Sequence, residues 1–211
     1  MEQHRYWKFI KIGCLCLLAV LMNILLQKIF INFLRFPLFM DTIFTAAITF
    51  AFGLIPGIIV AVLSWLIPSI YHMTFSFFVL CSIAEVLIIN ALKPPAPDIT
   101  AFIPKEKIIT SYTIIAAKLM MLYIICVITI SVLGGLINLL PQIAYGTHTG
   151  YFGVDDIFKL GLIMNNLPTL AVNILSRIPI NIVDRFIVIF GGYLISRGLI
   201  ILMRYLKEKR T

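Results

Sequence analysis

Residues 36–64 read FPLFMDTIFTAAITFAFGLIPGIIVAVLS. Two apolar runs flank the short segment GLIPG at 53–57, whose Gly and Pro residues reverse a chain tightly. Asp41 is the one charged residue in the whole stretch. Apolar run, tight turn, apolar run is the pattern of two membrane spans laid side by side, and it decides how the remaining sequence is read.

The composition agrees. Hydrophobic residues make up 61% of the 211 and charged ones 12%, with a mean hydropathy of +1.06. A soluble domain carries about 25% charged residues. A spanning helix needs about 20 mostly apolar residues, and several such runs occur here. The chain reads as one integral membrane domain, 1–211, with no room for a soluble domain beside it. Its net charge of +8 sits mainly at the edges of the apolar runs. The positive-inside rule accounts for that placement, so no nucleic-acid partner is expected. The cysteines Cys14, Cys16, Cys81 and Cys126 all fall within apolar runs and show neither a disulfide framework nor metal-ligand spacing, which predicts small core residues. The basic N-terminal flank precedes an apolar run without a small-residue cleavage site, and so reads as a retained first helix.

Working outward from 36–64, the expected spans are about 12–33, 37–52, 56–71, 73–92, 110–140 and 180–203. Pro168 and Pro179 break the long apolar stretch after residue 157. The polar segment 93–107 carries Lys93, Lys105 and Lys107, and the tail reads RYLKEKR at 204–210; the segment 141–156 carries Asp155 and Asp156 without Lys or Arg. These charges predict an all-α polytopic bundle of six transmembrane helices with both termini inside. Residues 141–178 become an outer, lid-like segment. The expected location is the bacterial cytoplasmic membrane.

Polar groups within the spans then attract attention, because a charge at mid-membrane costs about 2.5–3.5 kcal/mol on insertion scales and calls for a partner or a cavity. Counting from the span ends, Glu85 and Lys118 both lie roughly 10–12 Å from the inner face, which predicts an interhelical lock between them. The second place is RIPINIVDRFIVIFGGY, 177–193, where Asp184 and Arg185 head the expected sixth span. Asp41 heads the second span at similar depth, so a pair between Asp41 and Arg185 is expected. Asp184 is expected to cap its own helix. Adjacent residues differ by about 100° around a helix, so at least one of the two charges is expected to face a hydrated cavity. The residues expected to line that outer site are Asn23, Gln27, Asp41, Thr42, Thr45, Asn181, Asp184 and Arg185. Asn23 and Gln27, four apart, share a helix face. Two bland alternatives stand beside this: Asp41 and Asp184 as simple caps, and Arg185 as a snorkelled side chain.

No HExxH pattern and no phosphate-cradling Gly-Lys-Ser/Thr loop occurs. His72 and His148 are isolated in the sequence. No catalytic residue, metal or cofactor is therefore expected, and no ATPase of the chain's own.

The stretch 36–64 resembles the second and third spans of S components, the substrate-binding subunits of energy-coupling factor (ECF) vitamin transporters. An acidic or polar residue at the outer start of span two and a Gly-x-x-Pro-Gly-like turn are shared, here Asp41 and Gly53, Pro56 and Gly57. Residues 177–193 are similar to the sixth span of riboflavin-type relatives. The likeness covers about 45 residues in motif and the whole chain in layout. It implies capture of a vitamin or similar small molecule in an outer pocket. It implies as partners a coupling transmembrane protein and two cytoplasmic ATPases, whose hydrolysis topples the subunit in the membrane. Docking in that family uses Ala-x-x-x-Ala on span one; this chain has Gly13, Cys16 and Ala19, three apart, instead. Two other classes remain open: a non-transporting membrane scaffold of the rod-shape-determining type, and an intramembrane enzyme or sensor module. The scaffold predicts that the outer polar residues are dispensable, and the enzyme or sensor that Glu85 and Lys118 are essential.

Overall fold

The structure is a computed structural model that describes residues 2–30, 40–72, 77–95, 105–145, 159 and 161–208. All regular structure among them is helical. The helices are α1 (Glu2–Lys28), α2 (Ile43–Phe52), α3 (Leu54–His72), α4 (Val79–Leu92), α5 (Lys105–Tyr145), α6 (Thr169–Leu175), α7 (Ile178–Phe186) and α8 (Gly192–Glu208); a π-helical segment, Ile187–Gly191, joins the last two. Among the described residues, four stretches are long and apolar enough to cross a membrane: Phe9–Lys28, Leu54–Tyr71, Ile109–Leu140 and Thr169–Tyr205.

The expected turn at 53–57 is present. Gly53 ends α2 with φ +89, a left-handed conformation that suits glycine, and its N–H bonds the Thr49 carbonyl at 3.0 Å. Leu54 begins α3 at once, with Pro56 in its first turn, where a missing N–H costs nothing. Pro168 caps α6 and Pro179 lies in the first turn of α7, so both prolines mark helix starts.

Helix α2 is the hub. It packs against α1, α3, α4, the π segment and α8. Ile43, Ala46, Ala47 and Ile48 are all buried. One apolar cluster joins Met40, Ile43 and Ala46 to Ile89 of α4, Ile115, Leu119, Leu122 and Cys126 of α5, and Val188 and Ile189 of the π segment. A second joins Ile48 to Cys16, Ala19 and Val20 of α1 and Val60 of α3. The outer surface is also apolar, with Leu17, Leu21 and Leu25 on α1 and Ile55, Ile59 and Ile70 on α3 exposed. Burying polar side chains and exposing leucines is the arrangement lipid favours, because helices gain nothing by hiding apolar surface from hydrocarbon. Packing and internal hydrogen bonds hold such a bundle together.

Small residues set the closest approach. A Cβ built on Gly192 of α8 would lie 2.8 Å from the Ala46 Cβ and 3.1 Å from the Ile43 carbonyl oxygen. Gly192→Leu is expected to force α8 off α2 at about 1–3 kcal/mol, the usual cost of overpacking. A thermal melt in detergent checks it: the variant should melt well below the wild-type protein, and an unchanged midpoint would show that the two helices are not held at this distance.

Several expectations are corrected. The expected second and fourth spans contain α2 and α4, helices of 10 and 14 residues. At 1.5 Å per residue they extend about 15 and 21 Å, short of the roughly 30 Å hydrocarbon core. Their expected flanks at 37–39 and 73–76 lie outside the described residues. The last candidate span starts at Thr169 rather than Ile180. Helix α6, assigned in sequence to the lid, packs on α5; a Cβ on Gly135 would come within 3.0 Å of the Ile174 backbone. Residues 141–145 of the lid-like segment belong to α5, and its residues 146–158 and 160 lie outside the described residues. Of the small residues of span one, Cys16 and Ala19 face the interior, while a Cβ on Gly13 would meet nothing within 4 Å. Cys14 is exposed, while the other three cysteines are buried as expected.

Candidate functional site

The first turn of α2 organises the site. A helix start leaves its leading N–H groups without partners inside the helix. The side chain of Thr42, at the N-cap, makes no capping hydrogen bond here. Two other helices supply acceptors instead. Asn23 Oδ1 of α1 accepts the Phe44 N–H at 3.1 Å, and Asp184 Oδ1 of α7 accepts the Met40 N–H at 2.9 Å. Capping by neighbours leaves the Thr42 hydroxyl for another bond.

That bond is with Arg185. The guanidinium Nη1 donates to Thr42 Oγ1 at 3.0 Å and to Glu85 Oε2 of α4 at 2.7 Å. Nε donates to Asp184 Oδ2 at 3.1 Å, and Nη2 donates to the same oxygen. Asp41 Oδ1 lies 4.0 Å from Nη2. Asp184 and Glu85 are 0% exposed, Arg185 4% and Asp41 8%, so the whole cluster is buried. Only arginine presents donors in a fork wide enough to meet three side chains at once.

Asn23 forms an adjoining cluster. Its Nδ2 donates to Thr45 Oγ1 at 2.9 Å and to Ser64 Oγ of α3 at 3.2 Å. The two clusters meet on α2, where residues 42, 44 and 45 all contribute. Thr49, also buried, returns its hydroxyl to the Thr45 carbonyl at 2.7 Å. Asn181 is buried elsewhere, donating to Ser131 Oγ of α5 at 2.9 Å. Gln27 is half-buried one turn beyond Asn23.

The structure thus brings Asp41, Thr42, Asp184 and Arg185 together and sets Asn23 and Thr45 beside them. The expected lock between Glu85 and Lys118 does not form: Glu85 takes Arg185, and Lys118 is exposed on α5. Asp184 and Arg185 are not the head of a span. They lie within the stretch 169–205, both buried, so neither faces an open hydrated cavity. Their 100° separation does not keep the two charges apart, because the long arginine side chain folds back onto its neighbour's carboxylate. Nor does Asp184 cap its own helix; it caps the approach to α2. The π segment follows directly, and wide turns of this kind recur at functional sites.

Sequence reasoning missed Ser64, Ser131 and Arg177. The two serines are small hydroxyls within apolar runs, and nothing else in the sequence marks them. Arg177 lies over the Phe78 ring at 4.7 Å, and a Cβ at Gly134 would stand 2.8 Å from its Nη1, so Gly134 makes room for it. Among the described residues, no three His, Cys, Asp or Glu side chains converge as a metal ion requires.

Fold and site define an all-helical membrane protein with a buried four-residue charge cluster. Compared with family models, curated proteins and solved structures, the chain matches none of them.

Proposed function

We propose that the chain is the substrate-specific membrane subunit of an ECF-type importer, capturing a vitamin or similar small molecule. The observation that supports this is the cluster of Asp41, Glu85, Asp184 and Arg185, drawn from three separate parts of the chain into a buried interior. Ionisable groups at such a position are expensive and usually serve a function. Asn23, Gln27, Asp41, Thr42, Thr45, Asn181, Asp184 and Arg185 are the proposed substrate ligands, and capture would exchange their mutual hydrogen bonds for bonds to the substrate. In this reading the bundle has six spans with both termini inside, and α2 and α4 are the helical cores of the second and fourth. It sits in a bacterial cytoplasmic membrane, where a coupling transmembrane protein and two ATPases are its partners.

A second reading draws on a different observation. Arg185 is already engaged by Asp184, Glu85 and Thr42, and a closed network of that kind also suits a fixed, non-transporting scaffold.

Affinity purification of the tagged protein from native membranes in mild detergent, followed by mass spectrometry, separates the two. The importer reading expects a coupling protein, two ATPases and a retained small molecule. Recovery of cell-wall synthesis proteins without ATPases would overturn it in favour of the scaffold.

A further inference from the structure

Three carboxyl groups share one guanidinium in the cluster. Arginine keeps its proton in proteins. With Asp41, Glu85 and Asp184 all ionised, the site would hold two net negative charges among residues at most 8% exposed. Isolated charge of that kind is very costly in an apolar interior, and such groups commonly neutralise instead. The surroundings offer little relief. Cys81 of α4 and Cys126 of α5 are thiols within electrostatic range of the cluster. Arg177 bears on Cys81 and lies over Phe78. Lys118 is exposed. Helices α1 and α3 contribute Asn23 and Ser64, which are neutral.

The carboxyl oxygens are not equivalent. Both oxygens of Asp184 are occupied: Oδ2 by two Arg185 donors and Oδ1 by the Met40 N–H. That pattern suits an ionised carboxylate. Glu85 differs. Its Oε2 accepts from Arg185 and the Thr42 hydroxyl bears on the carboxyl group, while Oε1 is buried and has no hydrogen-bond partner among the described residues. A carboxylate spreads its charge over both oxygens, so a bare buried oxygen leaves half of that charge unsolvated. A proton on Oε1 removes the charge and leaves the bond from Arg185 to Oε2 intact.

We propose that Glu85 is a proton-binding site: it holds a proton on Oε1 while the cluster is closed and gives it to water when the cluster opens. The O–H bond at Oε1 breaks, water takes the proton, and Glu85 becomes a carboxylate able to accept further donors. Opening of the bundle at α2 is then accompanied by release of one proton. The inference rests on the cluster alone and is independent of which small molecule, if any, the protein carries.

Infrared spectroscopy of the full chain in lipid nanodiscs at neutral pH tests this. The wild-type protein is expected to show the carbonyl stretch of a protonated carboxylic acid, shifted in heavy water. Glu85→Gln is expected to lose that band and to melt at the wild-type temperature, because a neutral amide mimics the protonated acid. Asp41→Asn is expected to keep the band. Absence of the band in the wild-type protein, its survival in Glu85→Gln, or its loss in Asp41→Asn would each overturn the assignment. A collapse in melting temperature of Glu85→Gln would do so as well, since it would mean that the site needs a charged Glu85.

Discussion

Replacing Arg185 with methionine is expected to cost about 3–5 kcal/mol, the usual penalty for breaking a buried ion pair. Methionine fills a similar volume, so the loss is electrostatic rather than a cavity. Removing the guanidinium strands the fully buried carboxylate of Asp184 and takes from Glu85 its hydrogen-bond donor, with no other cation among the described residues in hydrogen-bonding reach. The triple change Asp184→Asn, Glu85→Gln, Arg185→Met removes the stranded carboxylate together with the acid that lost its donor, and is expected to recover most of the loss, as whole-cluster replacement often does. Arg185→Lys is expected to fall between, because an ammonium is a point charge and cannot meet Thr42, Glu85 and Asp184 in one plane. Melting temperatures of purified variants in detergent give the ranking. An Arg185→Met protein as stable as its triple variant would mean that the cluster is solvated and not dry.

Asn23→Leu is expected to give the next largest loss, about 1–3 kcal/mol, the cost of a buried polar group left without its partner. The decisive partner is the Phe44 N–H, which sits at the start of α2 and has no other acceptor in its own helix. The bonds to Thr45 and Ser64 contribute less, since interhelical hydrogen bonds in membranes average about 0.6 kcal/mol. Ser64→Ala should therefore be mild while Asn23→Leu is not. Equal effects would locate the stabilisation in the hydroxyl bonds instead, and guanidine-free thermal unfolding in detergent distinguishes the two cases.

Punctuation in the sequence was legible. Gly53, Pro168 and Pro179 act through backbone geometry that no tertiary contact can override, and each marks a helix boundary as expected. The proximity of Asp41 to Arg185 was legible too, since two opposite charges in apolar runs have few places to go. The partner of Glu85 was not. Depth was counted from span ends, and the last candidate span begins at Thr169, which moves Arg185 from a membrane edge to the interior. Helical periodicity gave no help with Lys118. The buried face of α5 runs through Ile115, Leu119, Leu122 and Cys126, but its lipid-side positions Ile114, Met121, Ile124 and Ile128 are equally apolar. Where both faces are greasy, the 3.6-residue period that distinguishes inside from outside disappears.

The order in which the chain is made gives the cluster a further meaning. Arg185 bonds Thr42 across 143 residues and Glu85 across 100. Asp41 and Glu85 leave the ribosome long before their cation exists. Until then the nascent protein holds two acids within or beside apolar segments, and α2 has neither the length nor the caps to settle by itself. Contacts this distant in sequence form late, so the early helices have to wait in the insertion machinery or at the membrane surface. Arrival of residues 177–191 is the event that lets them close, and a chain stopped short of Arg185 lacks the cation that joins Thr42 to Glu85.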